Sequence, residues 1–256
     1  MNPLVWMPLE SEKSMGRRIK SAARQGIGRI GLVIPETGAP SRWEKAFGWG
    51  CSLVQDEGMT LEALSLPLPV EKWQQEQVTL WLSSASDAGV KTVMLHPEIP
   101  EEEFLEIQAA SNVAALCDKV EEHGLSLLIE TAGPLTSYKS MNNFLTCVGR
   151  DVLKIAWNVH NTFLHEPLYS RPNRVADALA QNIGLVVVRD SLIKAGIQSF
   201  RLLGFGDVPV LDSIKALLDA GVTSDLSFWV DCPPALEGEE ALHHCIRMME
   251  MVQKLV

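Results

Sequence analysis

The run Leu127-Leu128-Ile129 leads directly into Glu130 and Thr131. A carboxylate ending a buried apolar segment is a candidate metal ligand or proton-transfer base, because burial makes its charge costly without partners. His160 titrates near neutral pH and is the matching candidate acid, a hydrogen-bonded loop histidine being the plain alternative. His96 closes Leu95-His96-Pro97 and can reach the same pocket. Arg189 offers a planar cation that grips a phosphate or carboxylate in a bidentate fashion, or else pairs with Glu130 to position a loop. Asp190 stands beside it, Asn158 supplies a neutral amide, and Trp157 and Trp229 either stack on a flat ligand or fill volume. Glu130 and His160 form the expected catalytic pair; Asn158, Arg189, Asp190, His96, Trp157 and Trp229 form the expected substrate-binding set. No HxH or HExxH spacing gives the histidines a metal site of their own.

These residues punctuate a regular pattern. Apolar strand-like runs fall at 3–7, 29–34, 60–66, 91–96, 125–130, 152–158, 184–189 and 225–231. Several, such as Leu185-Val186-Val187-Val188, are continuously apolar, which suits parallel strands covered on both faces. Helical patterns lie between them, at 14–24, 41–56, 71–88, 101–123, 138–148, 171–182, 209–220 and 237–254. The segment 101–123 opens with Pro100 and three glutamates and stops at Gly124, with an apolar stripe that includes Phe104, Ile107, Val113, Leu116 and Val120. Stretches 35–40 and 161–173 read as loops on the active face. Strict alternation of strand and helix predicts a closed eight-stranded (β/α)8 barrel, residues 1–256 forming one domain, with chemistry at the carboxyl ends of the strands. An open doubly wound sheet is the alternative, but no GxGxxG or GxxxxGK[ST] motif favours it.

Composition narrows the partners. The 256 residues are 46% hydrophobic, enough for a large core without disulfides. A net charge of −10 argues against nucleic acid, and the basic cluster Arg17-Arg18-Ile19-Lys20 with Arg24 reads as the solvated face of the first helix. Five scattered cysteines without a CxxC pair read as reduced thiols, with Cys117 and Cys147 as helix packing residues. No run approaches the ~18 apolar residues of a membrane span. The expectation is a cytoplasmic protein with no nucleic-acid or membrane partner; homo- or hetero-oligomerisation stays open.

Four pieces, in order, resemble one known family. LLIETAG at 127–133 looks like an aliphatic strand followed by Glu-Thr-His-Gly. KIAWNVHNTF at 154–163 looks like a strand ending in Trp-Asp and then His. VVRD at 187–190 resembles His-x-Lys-Asp, and residues 204–228 track a Gly-x-Gly-Asp loop, a helix and a last strand. The chain thus resembles the sugar phosphate isomerases and epimerases with a xylose isomerase-like TIM barrel, best from about residue 90 onward.

That resemblance implies a divalent metal held by Glu, Asp, His and Glu from strands five to eight, which polarises a carbonyl while two carboxylates move a proton. Here Glu130 matches the first ligand, Asn158 stands for the Asp, Val187 for the His and Trp229 for the final Glu. Ala132 replaces a further His, and Gly31 stands where strand two often carries a Glu. A shifted register would set Trp157 and His160 at strand six, but strand alternation favours Asn158 facing inward. The expected cofactor is none; Mn²⁺ or Mg²⁺ enters only if residues outside the family pattern, such as Asp231, complete a site. The implied function is action on, or binding of, a small carbohydrate-type ligand at the barrel mouth: a sugar, sugar phosphate or related polyol. If it is an enzyme, isomerase-, epimerase- or lyase-like proton transfer is implied. The alternative is an inactive relative acting as a ligand sensor or as the partner subunit of an active one.

Overall fold

The computed structural model describes residues 3–9, 12–34, 40–66, 75–97, 106–165, 171–229 and a few positions between 242 and 250. Eight parallel strands close into a barrel: β1 (Pro3–Pro8), β2 (Arg29–Val33), β3 (Thr60–Leu66), β4 (Thr92–Leu95), β5 (Ser126–Glu130), β6 (Leu153–Asn158), β7 (Ile183–Val188) and β10 (Asp225–Trp229), the last pairing with β1. A separate antiparallel hairpin, β8 (Asp190–Lys194) with β9 (Ile197–Arg201), rises from the end of β7. The helices are α1 (Glu12–Arg24), α2 (Pro40–Asp56), α3 (Gln75–Asp87), α4 (Glu106–Glu122), α5 (Tyr138–Val148), α6 (Val159–His165), α7 (Pro172–Leu179) and α8 (Val210–Asp219). Closure leaves no barrel strand with an unpaired edge, and the open-sheet alternative is excluded.

Local chemistry explains the element limits. The N-cap Ser137 accepts a hydrogen bond from the Ser140 backbone N–H at 3.1 Å, and Gly149 ends α5 in the left-handed conformation that its missing Cβ allows. The expected loop over 161–173 instead contains most of α6, and the expected helix 171–182 is α7 followed by a 3-10 turn at Ala180–Asn182. The β8–β9 hairpin went unread in the sequence: its tip is Ala195-Gly196, both at positive φ, a weaker turn signal than Asn-Gly. Ile107 is exposed, off the buried stripe of α4, and Cys147 is exposed on α5, whereas Cys117 is buried. Loop 35–39, the first part of helix 101–123, Asp231, Cys232 and most of helix 237–254 lie outside the described residues. Among the described residues, no helix is long and apolar enough to cross a membrane.

Strand alternation sorts side chains into two cores. Between strands and helices lies a large layer that includes Leu32, Leu64, Leu95, Ile129, Ile155, Trp157 and Val186. Inside the barrel, Leu4, Trp6, Ala63, Met94, Leu128, Ala156, Leu185 and Val187 pack together. Trp6 takes the space beside Gly31, its register partner; a Cβ on Gly31 would overlap the indole ring. Where the family resemblance suggests a carboxylate on strand two, this barrel has a glycine that admits a tryptophan.

Candidate functional site

Four inward-facing apolar residues, Ala63, Met94, Leu128 and Ala156, sit on four adjacent strands. Two residues further along each strand stand Ser65, His96, Glu130 and Asn158. A period of two keeps these polar residues on the inner face and lifts them to the carboxyl-terminal mouth. They form one hydrogen-bonded chain. Ser65 Oγ meets His96 Nε2, and His96 Nδ1 meets Glu130 Oε2. Asn158 Nδ2 donates to Glu130 Oε1 at 2.5 Å, and Asn158 Oδ1 accepts from the Asn161 backbone N–H at 3.0 Å. Thr131 ties the strand ends together: its Oγ1 accepts from the Asn158 N–H at 2.8 Å.

Ser65, Glu130 and Asn158 are buried, whereas the His96 side chain keeps 12% of its surface exposed. Burial by itself would raise the pKa of Glu130. The electrostatic interaction and hydrogen bond with His96, the charge of Arg189 and the Asn158 amide together outweigh it and hold the carboxyl below its ordinary value. Glu130 is therefore an anion at neutral pH, held by one neighbour just past β4 and one at the end of β6.

His160 lies on α6, two residues past Asn158, and is buried under the hairpin. Its Nε2 is 3.0 Å from Ser191 Oγ and 3.1 Å from Gln198 Nε2, and its ring packs on Phe200 with centroids 5.4 Å apart. Burial pushes its pKa down; the Asn161 hydrogen bond acts the other way and the charge of Arg189 adds to the lowering, so the ring is neutral at pH 7. Arg189 follows Val187 on the inner face, and its charge acts on both Glu130 and His160. The structure thus brings Glu130, His96, Asn158, Arg189 and His160 into one neighbourhood.

Two expected members are placed elsewhere. Trp157 points away from the mouth into the helix layer, where its indole N–H donates to Thr162 Oγ1 at 3.1 Å among residues such as Phe163 and Val175. The alternation that turns Asn158 inward necessarily turns Trp157 outward. Asp190 is buried, and its carboxylate accepts the backbone N–H groups of Gly204 and Gly206 at 2.8 Å each and of Val208 at 3.2 Å. A Cβ on Gly206 would overlap that carboxylate, which explains a glycine in the Gly-x-Gly-Asp loop. Asp207 fastens the other side by accepting the Ile193 N–H at 2.7 Å. The Asp190 carboxylate is thus engaged in holding the loop. Trp229 ends β10 in register with Trp6.

Ser65 escaped the sequence reading. A single serine in an apolar strand carries no motif, and only its place two residues beyond Ala63 at the end of β3 marks it. A cleft of about 250 Å³ lined by Asn142, Arg150, Lys154 and Asn182 lies at the opposite, amino-terminal end of β6, away from this chemistry.

The divalent ion implied by the resemblance finds a poor donor set here. The amide orientation of Asn158 is fixed by Asn161, so its N–H rather than its oxygen faces Glu130. Val187 is an aliphatic residue of the barrel interior. Among the described residues, no three His, Cys, Asp or Glu side chains converge as a metal site needs.

Residues 45–250 match the model of the xylose isomerase-like TIM barrel family. A search of the curated proteins finds no match. Among solved structures, a xylose isomerase domain protein from Planctomyces limnophilus superposes with a TM-score of 0.76 at 16% identity, over 99% of this chain and 97% of that one. The D-psicose 3-epimerase of Clostridium cellulolyticum H10, solved with D-tagatose, gives 0.72 at 10% identity over 100% and 99%. The IOLI protein with a bound zinc atom gives 0.79 at 14% identity over 100% and 99%. At such identities the structures speak for the fold alone, and the family match is what decides membership: this chain belongs to the xylose isomerase-like TIM barrel family.

Proposed function

We propose that the mouth of this single-domain barrel binds a sugar, sugar phosphate or related polyol and moves a proton on it by acid–base chemistry that uses no resident divalent metal. One observation carries the reading: both oxygens of Glu130 are engaged by protein donors, His96 on one side and Asn158 on the other. A carboxylate so engaged positions an imidazole. Glu130 therefore acts as a positioning residue, and His96, the partly exposed member, exchanges the proton with the ligand. His160 supplies a second imidazole, neutral and able to accept a proton. Arg189 holds ligand oxygens or phosphate by charge, and Asn158 keeps Glu130 in place. The sugar-epimerase character of neighbours such as the D-psicose 3-epimerase supports the choice of ligand class.

A second reading, ligand binding without turnover, draws on Trp6 filling the barrel interior beside Gly31. One experiment separates the two. Ketohexoses such as D-tagatose and pentulose phosphates are incubated with the protein in D2O with a chelator, and C–H exchange is followed by NMR. Catalysis predicts exchange that His96→Gln abolishes. Ligand-induced shifts in the protein spectrum without exchange favour the binder, and neither signal rejects the carbohydrate assignment.

A further inference from the structure

The order of atoms in the polar chain points to a different class of chemistry from proton transfer on carbon. Ser65 Oγ faces His96 Nε2, and the other ring nitrogen, Nδ1, faces Glu130 Oε2. A hydroxyl on one imidazole nitrogen with a buried carboxylate on the other is the arrangement that activates a serine: the carboxylate fixes the tautomer and stabilises the imidazolium formed when the hydroxyl gives up its proton. Each member is set by a different strand of one rigid barrel, β3, the end of β4, and β5, rather than by a mobile loop.

We propose that Ser65, His96 and Glu130 form a nucleophilic relay, and that this barrel mouth hydrolyses an ester of a polyol, the class of acyl sugars and sugar lactones. The ester class is set by the chemistry of the relay; its polyol part rests on the reading of the mouth given above. Ser65 Oγ bonds to the acyl carbon while its proton passes to His96 Nε2, and the carbonyl electron pair moves onto oxygen. The oxyanion then collapses, the bond to the alcohol oxygen breaks, and that oxygen takes the proton from His96. Water attacks the acyl-serine, giving a proton to His96; as the acid leaves, that proton returns to Ser65 Oγ. The net change is ester plus water to acid plus alcohol. Asn158 holds the second oxygen of Glu130 throughout, and Arg189 provides positive charge close to this carboxylate. Ser65 is buried, and His96 is the member of the relay that keeps part of its side chain exposed.

The test is covalent capture with a fluorophosphonate, which reacts with activated serines whatever their natural substrate. The wild-type chain is expected to take up one adduct, located on Ser65 by peptide mass spectrometry. Ser65→Ala, which removes one oxygen and keeps a cooperative melt, takes up none, and His96→Gln slows labelling about 100-fold or more. Absence of an adduct on the wild-type protein, with a control serine esterase fully labelled beside it, overturns the relay without reference to any variant. So does an adduct whose rate ignores His96. Sugar exchange in D2O is a separate signal: exchange without an adduct removes the relay and leaves the polyol reading. An adduct with neither exchange nor sugar-induced spectral shifts confirms the relay and overturns the polyol ester as substrate.

Discussion

Asn158 and Glu130 are locked together by an amide that has no freedom to turn. Its N–H meets Glu130 Oε1 at 2.5 Å while its oxygen is held by the Asn161 N–H at 3.0 Å. An aspartate here would set two carboxylates against each other and require a cation between them; the asparagine makes the contact attractive without one. Asn158→Asp is therefore expected to destabilise the protein by about 1–3 kcal/mol at neutral pH, with partial recovery on adding Mn²⁺. Urea denaturation with and without the metal checks both parts.

Removing the carboxylate has a different signature. Glu130→Gln keeps the shape but loses the partner of His96 Nδ1, so turnover or ligand exchange falls by about 100-fold or more, while stability drops by about 1–3 kcal/mol. An unchanged rate with a more stable fold would mark Glu130 as a residue without a catalytic role.

The pH dependence follows from two lowered pKa values. His160 is held below its unfolded value, so its contribution is complete above about pH 6.5 and is lost as the pH falls through that value toward the folded pKa. Glu130, also lowered, contributes stability above about pH 4.3 that is lost on further acidification. Stability is thus expected to decline in two stages below neutrality. His160→Asn removes the first stage and Glu130→Gln the second, as measured by melting temperature across the pH range.

Trp6 and Gly31 form a size-matched pair. Gly31→Ala drives a methyl group into the indole and is expected to cost about 1–3 kcal/mol, and adding Trp6→Leu recovers part of that loss. Additive effects in the double variant would show that the two residues do not share this space.

Among the described residues, the Asp190 carboxylate takes its hydrogen bonds from backbone donors. Asp190→Ala strands the N–H groups of Gly204, Gly206 and Val208, so a loss of about 2–4 kcal/mol and faster proteolysis between 202 and 209 are expected. A limited-digest time course reads the loop directly.

Much of this fold is legible in the chain because parallel strands buried on both faces must be continuously apolar. The runs at 60–66 and 152–158 are nearly the observed β3 and β6. The mouth is legible where a strand ends in an unusual residue, as with Glu130 and His96. Trp157 misleads because aromatic character suggests stacking, although its neighbour Asn158 already fixes which face it takes. Asp190 reads as a site residue because its three partners lie a loop away. Ser65 is silent because its chemistry comes from His96, 31 positions further along the chain, and no local pattern carries that pairing.

The central claim is that Glu130 is held by His96 and Asn158 rather than by a resident ion. Calorimetric titration of the chelator-treated protein with Mn²⁺ tests it most directly. The account predicts no stoichiometric binding and the same trace for wild type and Glu130→Gln. A stoichiometric site in the wild type that disappears in Glu130→Gln would contradict it.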